Sequence, residues 1–335
     1  MPANLTPDYK AAEVAYKRSR DPEERLAALR EMYRTIPKHK GTEHLRADIK
    51  TRIKELTEQL AGPKKGGARS GPPTVIRPEG AAQVALLGPP NVGKSTLHAR
   101  LTGSRTPSGP YPFTTQFPQP GMLHYEDISF QLVDLPPVSA EHPVPWLAGA
   151  LQPADACLLI VDVSVPGCVA QVESLHEILA SRKVTLTSTW HEGEQSPEHD
   201  PFAIRLPTLL VANKADKAPR CTEEVAILEE LLGLDYPILT VSAATGAGVD
   251  EIGPWLFSRL GIIRVYTKVP GKPAAMDKPY TVRSGDTVQD VAALVHRDIA
   301  EHLRYARIWG TDHFDGQQVG RNHVLSDGDI VELHS

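Results

Sequence analysis

The run Gly88-Pro89-Pro90-Asn91-Val92-Gly93-Lys94-Ser95 sets a lysine and a hydroxyl directly behind a glycine-rich turn. Glycines let a backbone curl until its N–H groups surround a phosphate. A lysine at that point reaches the β- and γ-phosphate oxygens, and a hydroxyl at the next position is a ligand for Mg²⁺. Pro89, Pro90, Asn91 and Val92 form the turn, and Thr96 opens the helix expected to follow. Such a loop does not by itself separate adenine from guanine. Asn213-Lys214-Ala215-Asp216 does, because a carboxylate at Asp216 accepts the N1–H and 2-amino hydrogens that guanine offers and adenine lacks. Ser242-Ala243-Ala244 supplies backbone N–H groups for the guanine O6. An ATP-using P-loop enzyme is set aside by Asp216.

These residues need elements to hold them. Gln83–Leu87 is a short apolar strand running into the glycine turn, and Thr96–Leu101 reads as the helix after it. Further apolar strands are expected at Phe130–Val133, Cys157–Val163, Leu209–Ala212 and Ile238–Val241, alternating with helical patterns. That alternation predicts an α/β fold with a mostly parallel, doubly wound sheet. Asp134 then ends one strand as the acidic partner of Mg²⁺. Tyr111-Pro112-Phe113-Thr114-Thr115 lies between it and the P-loop, in the position of a switch loop. Thr115, or its neighbour Thr114, is expected to bind Mg²⁺ and the γ-phosphate. The segment Thr185–Pro207, rich in Glu, Gln, Ser, Pro and His, reads as a surface insertion.

Two other textures flank this region. Residues 1–61 read as helical, with apolar positions at Leu26, Leu29, Met32 and Tyr33 and again at Leu45, Ile49, Ile53, Leu56 and Leu60. A basic turn, Arg34–Gly41, separates the two sets, and Thr42 is placed to N-cap the second helix. The pattern predicts a helical hairpin, either a packing or dimer-forming appendage or a basic arm for RNA. Residues 62–80 form a Gly/Pro-rich linker to the nucleotide domain, 81–262. Residues 263–335 read strand, strand, helix, strand, strand, a small α+β domain. Tyr305 and Trp309 share one face of a strand there and read as core. Arg264, Lys268, Lys272, Lys278, Arg283, Arg304 and Arg307 make either a nucleic-acid-facing or a solvated mixed surface, since acids are interspersed.

Gly-Pro-Pro-Asn-Val-Gly-Lys-Ser at 88–95, Pro-Phe-Thr-Thr at 112–115 and Asp-Leu-Pro at 134–136 resemble the Obg-related GTPases. The tail is more specific. Ile263–Lys268, Tyr305–Gly310 and Val319–Leu325 resemble the TGS domain of the developmentally regulated GTP-binding proteins, and Lys38–His44 resembles that family's helical N-terminal region. The resemblance implies a ubiquitin-like β-grasp fold for the last domain and a role around ribosomes or RNA. It also implies GTP hydrolysis with Lys94, Thr115 and Asn91 as the catalytic groups. An asparagine at position 91 in related GTPases helps hold K⁺ against the phosphates; a turn-stabilising side chain is the other reading of Asn91.

One position departs from the family pattern. Such GTPases read Asp-x-x-Gly at the second switch, whereas this chain reads Asp134-Leu135-Pro136-Pro137. The glycine ordinarily gives its N–H to the γ-phosphate, and proline has none to give. Val138 follows, where Ras-like proteins carry a catalytic glutamine; an apolar residue there is shared by Obg-like proteins. His142 could position water but reads as an exposed loop residue. A slow GTPase is therefore expected, and a guanine-nucleotide-binding adaptor with little turnover is the alternative.

Composition bounds the rest. Of 335 residues, 41% are hydrophobic and 23% charged, which is ordinary for globular domains. Ala156–Val165 is about ten residues long and contains Asp162, so it reads as a strand and no membrane partner is expected. Cys157, Cys168 and Cys221 have no metal-ligand spacing and suit a reducing, cytoplasmic location. The net charge of −5 argues against nonspecific nucleic-acid binding by the whole chain. Residues 1–66, with 15 Lys or Arg against 10 Asp or Glu, run against that balance.

Overall fold

The computed structural model describes residues 5–19, 21–60, 74–104, 116–190, 200, 202–218, 221–233, 235–311 and 314–335. They divide into two units, one formed by the N-terminal residues with a short piece ending at Phe202, the other by the remainder from Thr74.

The first unit contains α1 (Pro7–Arg18), α2 (Pro22–Thr35) and α3 (Glu43–Leu60). The sequence predicts a two-helix hairpin, and the structure adds α1. Its buried apolar positions are Tyr9, Ala12 and Tyr16, an alternation of aromatic and small residues that makes a weak apolar stripe. Thr6 and Asp21 cap α1 and α2, each accepting backbone N–H groups of the first turn, with a proline directly behind. Thr42 does not N-cap α3. It closes a 3₁₀ turn over Lys40–Thr42, where its buried hydroxyl donates to the Pro37 carbonyl at 2.6 Å.

This unit's core holds Tyr9, Tyr16, Leu29, Met32, Ile49 and also Phe202, from far along the chain. Phe202 meets Tyr16 edge-on at 5.9 Å, and the Arg52 guanidinium lies 4.3 Å above its ring.

In the second unit, β1 (Ala82–Leu87) leads to α4 (Lys94–Thr102). Next come β2 (Gln119–Tyr125), β3 (Ile128–Asp134), α5 (Leu147–Leu151), β4 (Ala156–Asp162) and α6 (Cys168–Ala180). Then follow β5 (Val184–Thr187), β6 (Ile204–Asn213), α7 (Cys221–Leu232), β7 (Ile238–Thr240) and α8 (Ile252–Arg259). Among the described residues these strands form one sheet ordered β2-β3-β1-β4-β6-β5, with β7 also on β6. Every pair is parallel except β2–β3. β1 and β4 are buried along their whole length, as strands covered on both faces must be. Leu97, Ile252 and Leu256 cover one face; Leu147, Leu151, Val172, Leu175 and Leu228 cover the other.

Three points differ from the sequence reading. The polar β2 has no strong apolar alternation, and pairing with β3 makes it a strand. Thr185–Pro207 is not wholly a surface insertion: Val184–Thr187 pairs with Ile204–Pro207, so both its ends extend the sheet. The insertion's middle, 191–199, lies outside the described residues. Residues 74–80, expected as the end of the linker, lie on the domain: Gln83 Nε2 donates to the Ile76 carbonyl at 3.1 Å, and the Glu79 N–H to Gln131 Oε1 at 3.2 Å.

The C-terminal part contains β8 (Ile262–Lys268), β9 (Ala274–Arg283), α9 (Val288–Val295), α10 (Arg297–His302), β10 (Tyr305–Trp309), β11 (Gln317–Val319) and β12 (Asp329–His334). The sheet order is β11-β10-β12-β8-β9, with β12 and β8 parallel at its centre and α9 on one face. This is a β-grasp arrangement. Tyr305 and Trp309 are not core: Ala306 and Ile308 face the helices, and alternation turns the aromatics to the other side. There Tyr305 stacks on His334 at 4.5 Å and the Lys268 ammonium sits 4.0 Å from the Trp309 ring.

Several of the basic residues hold the two halves of this unit together. Arg264 donates to Asp327 on its own side and to Glu126 and Asp127 in the β2–β3 turn. Tyr266 donates to Asp127 at 2.5 Å, and Arg283 pairs with Asp155 at 2.8 Å. Three carboxylates raise the Arg264 pKa, the hydrogen bonds to Asp327 contributing most. Arg264, Arg283 and Lys268, which pairs with Glu332, are therefore internally engaged. No helix among the described residues is long and apolar enough to cross a membrane.

Phe202 makes a test of the first unit. Phe202→Ala removes a ring that is 3% exposed and should destabilise the helices by roughly 3–5 kcal/mol. Hydrogen exchange should then accelerate in peptides from 7–60 and stay unchanged in peptides from 82–134.

Candidate nucleotide-binding site

The P-loop joins β1 to α4 and has the shape its glycines allow. A Cβ at Gly88 would lie 2.4 Å from the Ile160 carbonyl oxygen, and one at Gly93 would lie 2.5 Å from Asn213 Nδ2. Both have positive φ, 155° and 93°, so no other residue replaces them without moving a neighbour. Lys94 is buried, and its ammonium donates to the carbonyls of Gly88 at 3.0 Å and Pro89 at 2.8 Å. Burial pushes its pKa down to about 8, against an opposing pull from Asp134.

Ser95 Oγ lies 2.5 Å from Asp134 Oδ2 at the end of β3. Two hard oxygen donors beside a phosphate loop fit Mg²⁺, which Ser95 and Asp134 would hold. Phe113, Thr114 and Thr115 lie outside the described residues.

The loops expected to read guanine are tied to the P-loop by hydrogen bonds. Asn213 is buried; its Nδ2 donates to the Val92 carbonyl at 2.8 Å and its Oδ1 accepts the Ala243 N–H at 2.9 Å. Lys214 donates to the Asn91 carbonyl at 2.7 Å and to Asp162 at 2.5 Å. Asp162 also accepts the N–H and hydroxyl of Ser164. Burial opposes ionisation of Asp162, but the bonds from Lys214 and Ser164 outweigh it and hold its pKa low. Ser242 Oγ donates to Asp216 Oδ1 at 2.6 Å, which orients the exposed carboxylate. Asn91 has a left-handed backbone (φ 61°) and an exposed side chain.

Every described residue of the expected site thus lies at the ends of β1, β3, β6 and β7, where a doubly wound sheet presents ligands. Asp162 was not foreseen. Its signal was available, since it ends an apolar strand as Asp134 does. Arg100 was not foreseen either; its guanidinium donates to the carbonyls of Ala243 at 2.7 Å and Ala244 at 2.6 Å. Nothing in the sequence separates it from any other helix-surface arginine.

The second switch follows a different path. Leu135, Pro136, Pro137 and Val138 are all buried. The Val138 N–H, the first after the two prolines, donates to the Gly88 carbonyl at 3.3 Å. His142 is exposed, as expected.

Residues 83–190 match the family described as a 50S ribosome-binding GTPase, and residues 263–335 match the TGS domain. An uncharacterised GTP-binding protein of Methanocaldococcus jannaschii is 29% identical over 93% of this chain and 92% of its own length. Developmentally regulated G-protein 1 of Arabidopsis thaliana is 26% identical over 90% of this chain and 88% of its own. The relatives it resembles along about nine-tenths of its length are GTP-binding proteins, several of them named as developmentally regulated. The matched GTPase and TGS segments correspond to the P-loop domain and the β-grasp domain of the fold. The YchF GTPase of Schizosaccharomyces pombe shares the fold, with a TM-score of 0.54, 14% identity, and coverage of 78% of this chain and all of that one.

The depressed Lys94 pKa has a measurable consequence for this GTP-binding protein. Below about pH 8 the free lysine is already charged; above it the lysine is mostly neutral and must gain a proton to meet phosphate. Nucleotide affinity should therefore fall as pH rises through that value. Calorimetry in buffers of different ionisation enthalpy should find proton uptake well above pH 8 and little at neutral pH. A Lys94→Met variant should show none.

Proposed function

We propose that this protein binds GTP with Mg²⁺ and hydrolyses it slowly to GDP, acting on ribosome- or RNA-associated partners. Support for the nucleotide part comes from the convergence of Lys94, Ser95 and Asp134 at one end of the sheet, with Asn213 and Asp216 joined to them. Mg²⁺ would neutralise charge on the β- and γ-phosphates. Lys94 would stabilise the charge that develops in the transition state, Thr115 would complete the γ-phosphate contacts, and Asn91 would favour K⁺ beside the phosphates. Slow turnover follows from Val138, an apolar residue that orients no water. The ribosomal or RNA partner rests on family likeness and on the description of the matched GTPase family.

One observation favours the second reading, a nucleotide-binding adaptor with little turnover. Pro137 has no N–H, and the next one, from Val138, is spent on Gly88. The stretch that usually contacts the γ-phosphate then supplies no amide to it.

Single-turnover GTP hydrolysis in KCl and in NaCl, after binding is verified, separates these readings. Faster hydrolysis in K⁺ supports the cation-assisted GTPase; tight binding without hydrolysis in either salt supports the adaptor. Pro137→Gly should raise the rate by on the order of a hundredfold, the scale on which a single transition-state donor acts. An unchanged rate would remove Pro137 as the cause.

A further inference from the structure

We propose that Arg100 is a positioning residue for guanine recognition, aiming the Ala244 N–H at the base by holding two carbonyls of the 242–245 loop. The inference rests on the reading of Ser242–Ala244 as the segment that meets guanine O6.

The hydrogen-bond inventory of that loop singles out one amide. The Ala243 N–H goes to Asn213 Oδ1, the Thr245 N–H to Ser242 Oγ and the Gly246 N–H to the Ser242 carbonyl. No acceptor for the Ala244 N–H is found among the described residues. That N–H shares a planar trans peptide with the Ala243 carbonyl, so the two point in opposite directions. Arg100 Nε holds this carbonyl at 2.7 Å, and Nη2 holds the next, that of Ala244, at 2.6 Å. Two charge-assisted bonds from one rigid fork fix the peptide plane more firmly than either would alone.

The arginine's location supports this role over simple packing. Its side chain is exposed and borders an open cavity shared with His124, Tyr125 and Asp250, so no close-packed shell sets its orientation. Gly246 makes room for it: φ is 98°, and a Cβ there would stand 2.7 Å from Arg100 Nη1. Arg100 also lies on α4, the helix that begins with Lys94 and Ser95. One nine-residue helix therefore carries the phosphate ligands at its start and the support for the base loop near its end.

The test uses two altered bases. In 6-thio-GDP the O6 acceptor becomes a weaker sulfur while the edge facing Asp216 is kept. In IDP the 2-amino group is lost and O6 is kept. Wild type should prefer GDP over 6-thio-GDP by about tenfold, the worth of one hydrogen bond to a fixed donor. In Arg100→Ala this preference should fall towards one, while the GDP-to-IDP ratio stays at the wild-type value. Arg100→Lys should restore part of it. An equal weakening for all three nucleotides would overturn the proposal and leave Arg100 a structural residue. A wild type with no preference for GDP over 6-thio-GDP would overturn the reading of Ser242–Ala244 instead.

Discussion

The loops at the candidate nucleotide site are joined by the buried carboxamide of Asn213. It donates to the P-loop at Val92, accepts from Ala243 and approaches Gly93 so closely that only glycine fits. A carboxamide is suited to this because it gives and accepts at once without carrying charge into the interior. Lys214 adds the link to Asp162 and Asn91, and Ser242 adds the link to Asp216. Phosphate-binding and base-reading segments are thereby one hydrogen-bonded assembly, and a change at either end is felt at the other.

Against that shared framework the second switch is the part that differs. Its glycine has become Pro137, the preceding residue is also proline, and Leu135 and Val138 are packed into the sheet's covering layer. Proline has a fixed φ and no donor, so this stretch neither reaches for a phosphate nor rearranges without exposing apolar surface. On the reading proposed above, this switch would offer no amide to the third phosphate.

Much of this was legible in the chain. The P-loop, Asp134, Asn213 and Asp216 were read from residue types and spacing, each close behind a strand that the sequence also marked. The β-grasp domain was legible through resemblance rather than periodicity. What escaped shares one cause, namely dependence on a distant neighbour. α1 is stabilised by tertiary contacts of Tyr9 and Tyr16, β2 exists because β3 pairs with it, and Phe202 belongs to a core whose other members lie within residues 5–56. Tyr305 and Trp309 looked like core because aromatics in a strand usually are. Their face could be assigned only once Ala306 and Ile308 were seen beneath the helices.

The Val138 amide is the most direct witness to this account. Its hydrogen-exchange rate should be measured by NMR with GDP bound and again with a non-hydrolysable GTP analogue. If the segment after Asp134 is held by Gly88 and the prolines, Val138 should be equally protected in both states, with no change across 135–147. Loss of that protection, or a new pattern across 135–147 when the γ-phosphate is present, would contradict the account and show a working switch despite Pro137.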